Sequence, residues 1–342
     1  TARNDPRWRA PSTRRGRRVR QKTRSLTVRR AFELLHNARF QAPMACAAAA
    51  AQIRTRSGLD LSKARVRAGF ARGHLLDIVV YVPGGKGSAD ETEQAEELVR
   101  LLVGEESFER WVGSVSGIPS ARGGPLTVIN SNAQERAALP IQTLFDTVHA
   151  AIAGLKLGLS PLAPSVRTDS DAWIAFELDP EPAPDFAAQG DLVLCSTRLP
   201  ELKKSFLRGE PFFSGRFLNS GALFAYLKFE FSGPNPQAWL AERARLEEAA
   251  VRAVEPEQAV LVGLGLGIRY GYLDFAVSDP DCVSERLLPA LRAANITPRS
   301  WFLFCDSELE REFIAVHPNA SAPLLAGVVQ GDSSAGRTNV VE

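Results

Sequence analysis

Three side chains that could contact a ligand recur at alternate positions of the sequence 270–277. They are Tyr270, Tyr272 and Asp274, and alternate residues of a β-strand point to the same face. Tyrosine rings provide apolar contact with a polar tip, and a carboxylate beside them can bind a polar group or act as a general base. No nucleophile or electrophile accompanies them in the sequence. The pattern therefore predicts a ligand-binding surface, with no catalytic residue, no metal and no cofactor.

Three glycines recur at the same spacing just before this run. Gly263, Gly265 and Gly267 would share one face of their strand and leave a groove without side chains. Such a groove can admit a ligand or allow close packing of another chain segment. The spacing is not that of a dinucleotide-binding loop, and no helix follows directly. We therefore add the three glycines to the predicted ligand-binding surface and expect close packing as the commoner cause.

The run Tyr-Gly-Tyr-Leu-Asp-Phe at 270–275 resembles the aromatic octapeptide of the RNA-recognition motif family. The resemblance implies that this strand is the third of a four-stranded sheet, and that bases of single-stranded RNA stack on Tyr270 and Tyr272. Two other interpretations remain open. The rings could pack against another sheet or a second subunit, or they could contact a small molecule.

The elements that would position these residues follow the order strand, helix, strand, strand, helix, strand across residues 222–306. That order is typical of the split βαβ, or ferredoxin-like, layout. Residues 223–231 alternate with the period of a strand. Asn235-Pro236 and Asp279-Pro280 provide a capping side chain followed by a proline suited to the first helical position. Pro289 lies inside the second helix and is expected to kink it.

The preceding half shows the same order more weakly, with a capping box at residues 88–91. We therefore predict an α+β protein of tandem ferredoxin-like units, each a four-stranded antiparallel sheet with helices on one face. The first unit spans 74–179, with strands at 75–82, 112–118, 126–130 and 173–178. A Pro-rich linker spans 180–189, the second unit spans 190–317, and a flexible tail spans 318–342.

Charge divides the chain unevenly. Residues 1–72 contain 19 Lys and Arg against three acidic residues, whereas the remainder carries a net charge of about −14. The basic segment 1–73 is predicted to be a disordered arm that neutralises phosphates, a targeting region, or translated sequence that is not native. The acidic remainder would repel nucleic acid and anionic membranes.

The four cysteines lack the spacing of a metal site, and no run of 18 apolar residues would span a membrane. A reducing cytoplasm is therefore expected. The function predicted is that of a non-catalytic regulatory protein that binds a small molecule or a protein partner, and dimerisation could occur through sheet faces. The alternatives are single-stranded RNA binding through Tyr270 and Tyr272, and a small-molecule enzyme that uses the cleft between the units.

Overall fold

The computed structural model describes residues 24–25, 28–37, 40–120, 134–159, 173–181, 189–320 and 323. These residues form a mixed α+β fold with two sheets. In chain order the strands are β1 (Arg24–Ser25), β2 (Arg65–Phe70), β3 (Leu76–Val82), β4 (Val112–Pro119), β5 (Leu139–Pro140), β6 (Ile174–Glu177), β7 (Leu192–Thr197), β8 (Leu223–Glu230), β9 (Ala259–Gly267), β10 (Tyr270–Val277), β11 (Ser300–Phe304) and β12 (Glu312–Ala315).

The longer helices are α1 (Val28–Asn37), α2 (Cys46–Ser57), α3 (Ala89–Val103), α4 (Glu105–Trp111), α5 (Leu144–Gly158), α6 (Pro200–Leu207), α7 (Pro236–Ala253) and α8. Helix α8 combines three consecutive segments, Pro280–Cys282, the π-helical Val283–Leu287 and Leu288–Ala293. The π-helical turn comes directly before Pro289, which lacks an N–H and cannot continue an unbroken α-helical ladder. The predicted disturbance at Pro289 is therefore a local widening of the helix.

The larger sheet has the order β1-β12-β11-β8-β10-β9-β7-β6. Its inner four strands, β11, β8, β10 and β9, are antiparallel neighbours, in the spatial order that the split βαβ layout requires. Strands β7 and β6 extend the sheet beyond β9, and β12 and β1 extend it beyond β11. The predicted four-stranded sheet was therefore too small, because edge strands leave backbone groups that further strands can pair.

The first face of the larger sheet packs against α7, α8 and α1. Leu227, Leu273 and Phe302 are buried there together with Leu246 of α7 and Leu287 of α8. Helix α7 begins after Asn235, whose side chain accepts a hydrogen bond from the backbone N–H of Ala238 at 3.0 Å. Asp279 likewise caps the first turn of α8, so the predicted caps and the predicted strand at residues 223–231 are confirmed.

The second face of the larger sheet is also covered, contrary to the prediction of helices on one face. Phe224 and Val262 pack there against Leu202 of α6 and against Phe212 and Leu218 from the segment between α6 and β8. Strands β8 and β11 carry large apolar residues on both sides. A sheet with two apolar faces must bury both of them.

The smaller sheet has the order β4-β3-β2-β5. Strands β2 and β3 form an antiparallel pair, whereas β3 and β4 are parallel and are joined through α3 and α4. The predicted tandem repeat is therefore wrong, because a ferredoxin-like sheet has no parallel neighbours of this kind. The predicted capping box is confirmed, since Ser88 Oγ accepts from the N–H of Glu91 at 3.2 Å. The predicted strand 126–130 lies outside the described residues.

Strand β6, predicted to complete the first unit, is an edge strand of the larger sheet. It pairs antiparallel with β7 across the segment that was predicted to be a linker. Phe176 of β6 packs against the apolar cluster on the second face, and this burial holds the strand in place. Residues 182–188 of the predicted linker, and most of the predicted tail 318–342, lie outside the described residues.

The predicted disordered segment 1–73 contains folded elements, namely β1, α1, α2 and β2. Ala49 and Ile53 of α2 and Val66 of β2 are buried in the core of the smaller sheet. Strand β2 was not predicted because Arg65 and Arg67 alternate with its buried residues. These arginines made the strand look like part of the basic N-terminal segment. Residues 1–23 lie outside the described part of the chain. In the part described, no helix has both the length and the apolar character needed to cross a membrane.

The two sheets have separate apolar cores joined by a junction around Arg110. The Arg110 guanidinium binds both carboxylate oxygens of Glu308, at 2.7 and 3.2 Å. It also donates to Glu106 and to the backbone carbonyl of Leu35. Its Cζ atom lies 4.6 Å from the ring centroid of Phe213. One buried cation of α4 therefore contacts α1 and the turn between β11 and β12.

Candidate functional site

The predicted tyrosines are buried on the second face and contact internal charged groups. Tyr270 and Tyr272 have no solvent exposure. The ammonium of Lys228, also fully buried, lies 4.5 Å from the ring centroid of Tyr270 and 5.7 Å from that of Tyr272. Aromatic faces attract cations through their quadrupole, more strongly when water is absent. The two rings therefore hold a cation of the protein itself.

Asp191 completes this arrangement at the end of β9 and β10. The Tyr272 hydroxyl donates to one carboxylate oxygen of Asp191. The other oxygen accepts from the backbone N–H groups of Arg269 and Tyr270, each at 3.0 Å. Burial, together with the Asp191 charge, raises the pKa of Tyr272 well above its ordinary value. Asp191 thus ties β7 to the turn between β9 and β10.

Asp274, the predicted carboxylate, belongs to a buried polar network of three side chains. Its Oδ2 accepts from Lys203 Nζ at 2.7 Å, and its Oδ1 accepts from Gln189 Nε2 at 2.8 Å. Lys203 also donates to the Gln189 amide oxygen. The three side chains satisfy one another's hydrogen-bonding groups, and the opposite charges of Lys203 and Asp274 form an ion pair. Asp274 is therefore a structural partner of α6.

The predicted glycine groove is filled by side chains of the neighbouring strands. A methyl group at Gly263 would overlap the Asp274 carboxylate, and one at Gly267 would overlap Asp191. At Gly265 it would come within 2.6 Å of the Leu192 side chain. The glycines thus make room for the buried carboxylates, as close packing predicts. The structure brings the six predicted residues together on one surface, but packs that surface inside the molecule.

The burial of Tyr270 and Tyr272 argues against two of the predicted partners, single-stranded RNA and the sheet of a second subunit. Base stacking needs an open ring face, and neither Tyr270 nor Tyr272 has one in this structure. The second face is equally closed to the sheet of a second copy at these rings. The residues that were expected to contact a partner instead contact Lys228, Asp191 and Lys203.

A cavity of about 340 Å³ opens beside the Asp274 network. Its floor and walls include Tyr226 of β8, Gln189, Cys305 and the rings of Phe206 and Phe212; we call it the Tyr226 cavity. Gln189 borders the cavity and also binds Asp274, which joins the cavity to the predicted site. Its volume falls in the range of small-molecule sites, about 300–1,000 Å³.

Tyr226 is the distinctive group of this cavity. The residue is 1% exposed and lines the cavity, and its hydroxyl makes no hydrogen bond within the described chain. That oxygen is not among the fully buried atoms without a partner, so it is open to the cavity. Burial raises the pKa of Tyr226 well above its ordinary value, with a contribution from Cys305. Burial likewise raises the pKa of the Cys305 thiol. Both groups are therefore neutral and protonated at physiological pH.

A second cavity of about 340 Å³ lies at the junction of the two sheets, beside Arg110, Lys156, Ser214 and Asp306. Asp306 is buried, and burial raises its pKa to about 6. Its two oxygens accept from the backbone N–H of Ser214 at 2.8 Å and from the Ser214 hydroxyl. Both Asp306 oxygens and the Arg110 guanidinium therefore already have partners within the protein.

A more open groove of about 620 Å³ runs between α7 and β9. It is bordered mainly by apolar side chains such as Val251 and Leu264. Its charged residues, Arg198 and Glu247, are half-buried at its sides. Orientation of a ligand requires a few placed polar groups, and the Tyr226 cavity provides them at its floor.

Sequence reasoning missed the two buried lysines and the Tyr226 cavity. Lys203 follows Leu199 by four residues and precedes Phe206 by three, so helical spacing places it on the buried face of α6. Lys228 shares the strand face of Tyr226, which also could have been noticed. Gln189 and Cys305 are brought to the cavity by chain segments outside the regular elements, and no local pattern marks them.

Within the described residues, no group of three or more His, Cys, Asp or Glu converges to hold a metal ion. The four cysteines are free thiols. Comparisons with protein-family models, with curated proteins and with solved structures gave no match for this chain. Any function must therefore be inferred from the geometry and chemistry of the site itself.

Proposed function

We propose that this protein is a non-catalytic ligand-binding protein that holds a small molecule in the Tyr226 cavity. The observation that carries the proposal is the Tyr226 hydroxyl, which is buried at the cavity floor and has no hydrogen-bond partner in the described chain. The Tyr226 oxygen is not among the fully buried polar atoms of the described chain that lack a partner, so it is reached from the cavity and can be solvated there when no ligand is bound. A ligand that hydrogen-bonds to it would replace that water, at a net gain of about 1 kcal/mol.

The rest of the cavity supports the same role. Phe206 and Phe212 provide apolar walls, and their rings meet at 90° with centroids 5.9 Å apart. Gln189 is fixed by Lys203 and Asp274, so the polar side of the cavity is held rigid before a ligand arrives. Preorganised walls reduce the entropy lost on binding.

The chemistry of the cavity floor favours binding over catalysis. A general base or nucleophile works best with a pKa near the operating pH or with an activating neighbour. Burial raises the pKa values of Tyr226 and Cys305 instead, which keeps both protonated. Lys203 and Asp274 neutralise each other. The free thiols of the chain also fit a reducing cytoplasm.

The test compares two tyrosines that differ in their hydroxyl partners. Without ligand, we expect Tyr226→Phe to leave the free energy of unfolding within about 0.5 kcal/mol of wild type, because that hydroxyl has no protein partner to lose. Tyr272→Phe should cost about 1–3 kcal/mol, because Asp191 loses a buried donor. Urea unfolding of the full chain measures both values.

The binding test is a thermal-shift screen of fragment-sized molecules. We expect molecules that stabilise the wild type to bind Tyr226→Phe about tenfold more weakly, which corresponds to one lost hydrogen bond. Tyr81→Phe, which alters a buried tyrosine of the smaller sheet, should keep the wild-type affinity. Equal affinity for Tyr226→Phe and wild type, or a large loss of stability in Tyr226→Phe, would contradict the proposal.

A further inference from the structure

We infer that the ligand of the Tyr226 cavity is a small organic cation that carries a primary or quaternary ammonium group. This inference rests on the proposed function and adds the chemical class of the ligand. It is drawn from three features of the cavity: the arrangement of its rings, the charge of its rim and the neutrality of its floor.

The rings form walls at steep angles to one another. The Phe206 and Tyr226 centroids are 5.6 Å apart with planes at 60°, and those of Phe206 and Phe212 are 5.9 Å apart with planes at 90°. Rings arranged in this way can present more than one face or edge to the same small group. Aromatic enclosures of this type recognise ammonium ligands, since ring faces carry negative potential. Lys228 beneath Tyr270 shows the same attraction elsewhere on this sheet face.

The rim of the cavity is acidic. Glu181, Glu210 and Glu310 border it, and among the described residues that line it none is a lysine, arginine or histidine. Glu210 is 3.5 Å from Arg208 and Glu310 is 3.7 Å from Arg311, at the long end of ion-pair contact. Glu181 makes no ion pair within the described chain. Arginines thus partly offset Glu210 and Glu310, and Glu181 leaves the rim with a net negative charge, which favours cations over carboxylates and phosphates.

The floor contributes polarity without charge. The Tyr226 hydroxyl can accept a hydrogen bond from an ammonium N–H or donate one to a hydroxyl elsewhere on the ligand. The Lys203 charge behind it is compensated by Asp274 at 2.7 Å, so it does not oppose a cation. A ligand with an ammonium head would thus meet negative charge at the rim, ring faces at the walls and a neutral hydrogen-bonding group at the base.

The experiment uses three probes of equal size and different charge: 2-phenylethylamine, 2-phenylethanol and phenylacetate. Each is titrated into the full chain and followed by calorimetry and ligand-observed NMR. We expect the amine to bind with a Kd of about 1 mM, a reasonable value for so small a ligand. Binding of the alcohol should be about tenfold weaker, and phenylacetate should not bind detectably.

Matched variants separate charge from shape. Glu181→Gln/Glu310→Gln should weaken amine binding about three- to tenfold, in line with exposed charges, and leave the alcohol unchanged. Glu93→Gln, an exposed carboxylate of α3, should change neither. Preferential amine binding that falls in Tyr226→Phe and in the double Gln variant supports the inference.

The failures of the two proposals are distinguishable. If the alcohol or phenylacetate binds as tightly as the amine, and Tyr226→Phe weakens that binding, the cation inference is wrong and the proposed binding function stands. If no probe binds at concentrations up to about 10 mM, or if binding is the same in Tyr226→Phe, both are overturned.

Discussion

Lys203 and Lys228 are buried cations on the second face of the larger sheet. Their contacts account for the tyrosines and the aspartate of β10 that the sequence suggested as a ligand-binding surface. Lysine is almost never fully buried unless it is paired. Lys203 is paired with Asp274, and Lys228 lies against the rings of Tyr270 and Tyr272. An aromatic-acidic strand face can thus arise from the need to hold internal charge. Tyr226 holds no internal charge of this kind, and we propose it as the group that binds the ligand.

Asp306 provides a prediction at the scale of a residue, because its carboxyl group has a different pKa in the folded and the unfolded protein. Its pKa rises from 3.8 to about 6 on burial. Between about pH 4 and 6 the folded protein therefore binds more protons at this group than the unfolded chain does. Its contribution to the free energy of unfolding should fall by about 3 kcal/mol as the pH rises through that window, and stay constant above it.

Urea unfolding of wild type and Asp306→Asn at pH 4 and pH 7 measures this effect. The stability of wild type relative to the variant should decrease by roughly that amount from pH 4 to pH 7, since asparagine does not titrate. The same stability difference at both pH values would show that Asp306 does not titrate in this window.

At the scale of elements, strand β9 shows how three glycines shape a sheet. Its backbone is close to Asp274, Leu192 and Asp191, which leaves no room for a Cβ. We expect Gly263→Ala to destabilise the protein by about 1–3 kcal/mol, because the new methyl group displaces Asp274 from its network. Gly154→Ala in α5 is the control, since a Cβ added there would meet no neighbouring atom within 4 Å beyond the helix's own backbone. It should stabilise the helix by about 0.5–1 kcal/mol.

Chemical denaturation of the two glycine variants gives the comparison. Opposite signs are expected for the same chemical change. A Gly263→Ala variant as stable as Gly154→Ala would mean that the β9 backbone does not approach Asp274 as closely as the structure indicates.

The elements that sequence predicted well are those whose signals are local. Asn235 and Ser88 mark helix starts through side-chain caps, and the alternation in β8 marks both faces of its strand. The sequence does not indicate which strands each strand pairs with. Nothing in Ile174–Glu177 indicates that β6 pairs with β7 of the larger sheet, because edge pairing depends on which neighbours the fold leaves unsatisfied.

For the site, sequence correctly placed Tyr270, Tyr272 and Asp274 on one strand face but could not tell whether that face was covered. The cover comes from α6, from Gln189 and from residues 208–222, which have little periodicity of their own. The Tyr226 cavity arises where these segments meet. Its existence depends on tertiary packing, so no spacing rule would reveal it.

At the scale of the whole molecule, Arg110 is the charged link between the two cores, beside the Trp111–Phe213 ring contact and the hydrogen bond from His74 to the Arg216 carbonyl. We expect Arg110→Met to lower the free energy of unfolding by about 1–3 kcal/mol, because Glu308 and Glu106 lose a partner but can be solvated. We also expect the single unfolding transition to divide into two, as each sheet unfolds with its own core. Scanning calorimetry of the full chain detects this division.

Arg100→Met is the matched control for the junction. Arg100 pairs with Glu109 and lies 4.0 Å from the ring centroid of Phe108, both within the smaller-sheet half of the chain. Its loss should shift stability without dividing the transition. Identical calorimetric profiles for the two variants would argue against a special role of Arg110.

The path of the chain between the sheets also governs the order in which the protein can assemble. Strand β1 and helix α1 belong with the larger sheet, where they contact β12 and α8. The smaller sheet, residues 65–158 with α2 before it, is inserted between them and the rest of that sheet. During synthesis the inserted half can close on itself early. Strand β1 and helix α1 cannot complete their packing until β12 and α8, which are synthesised much later, have left the ribosome. No single cut in the chain would separate the two halves; two cuts would be needed.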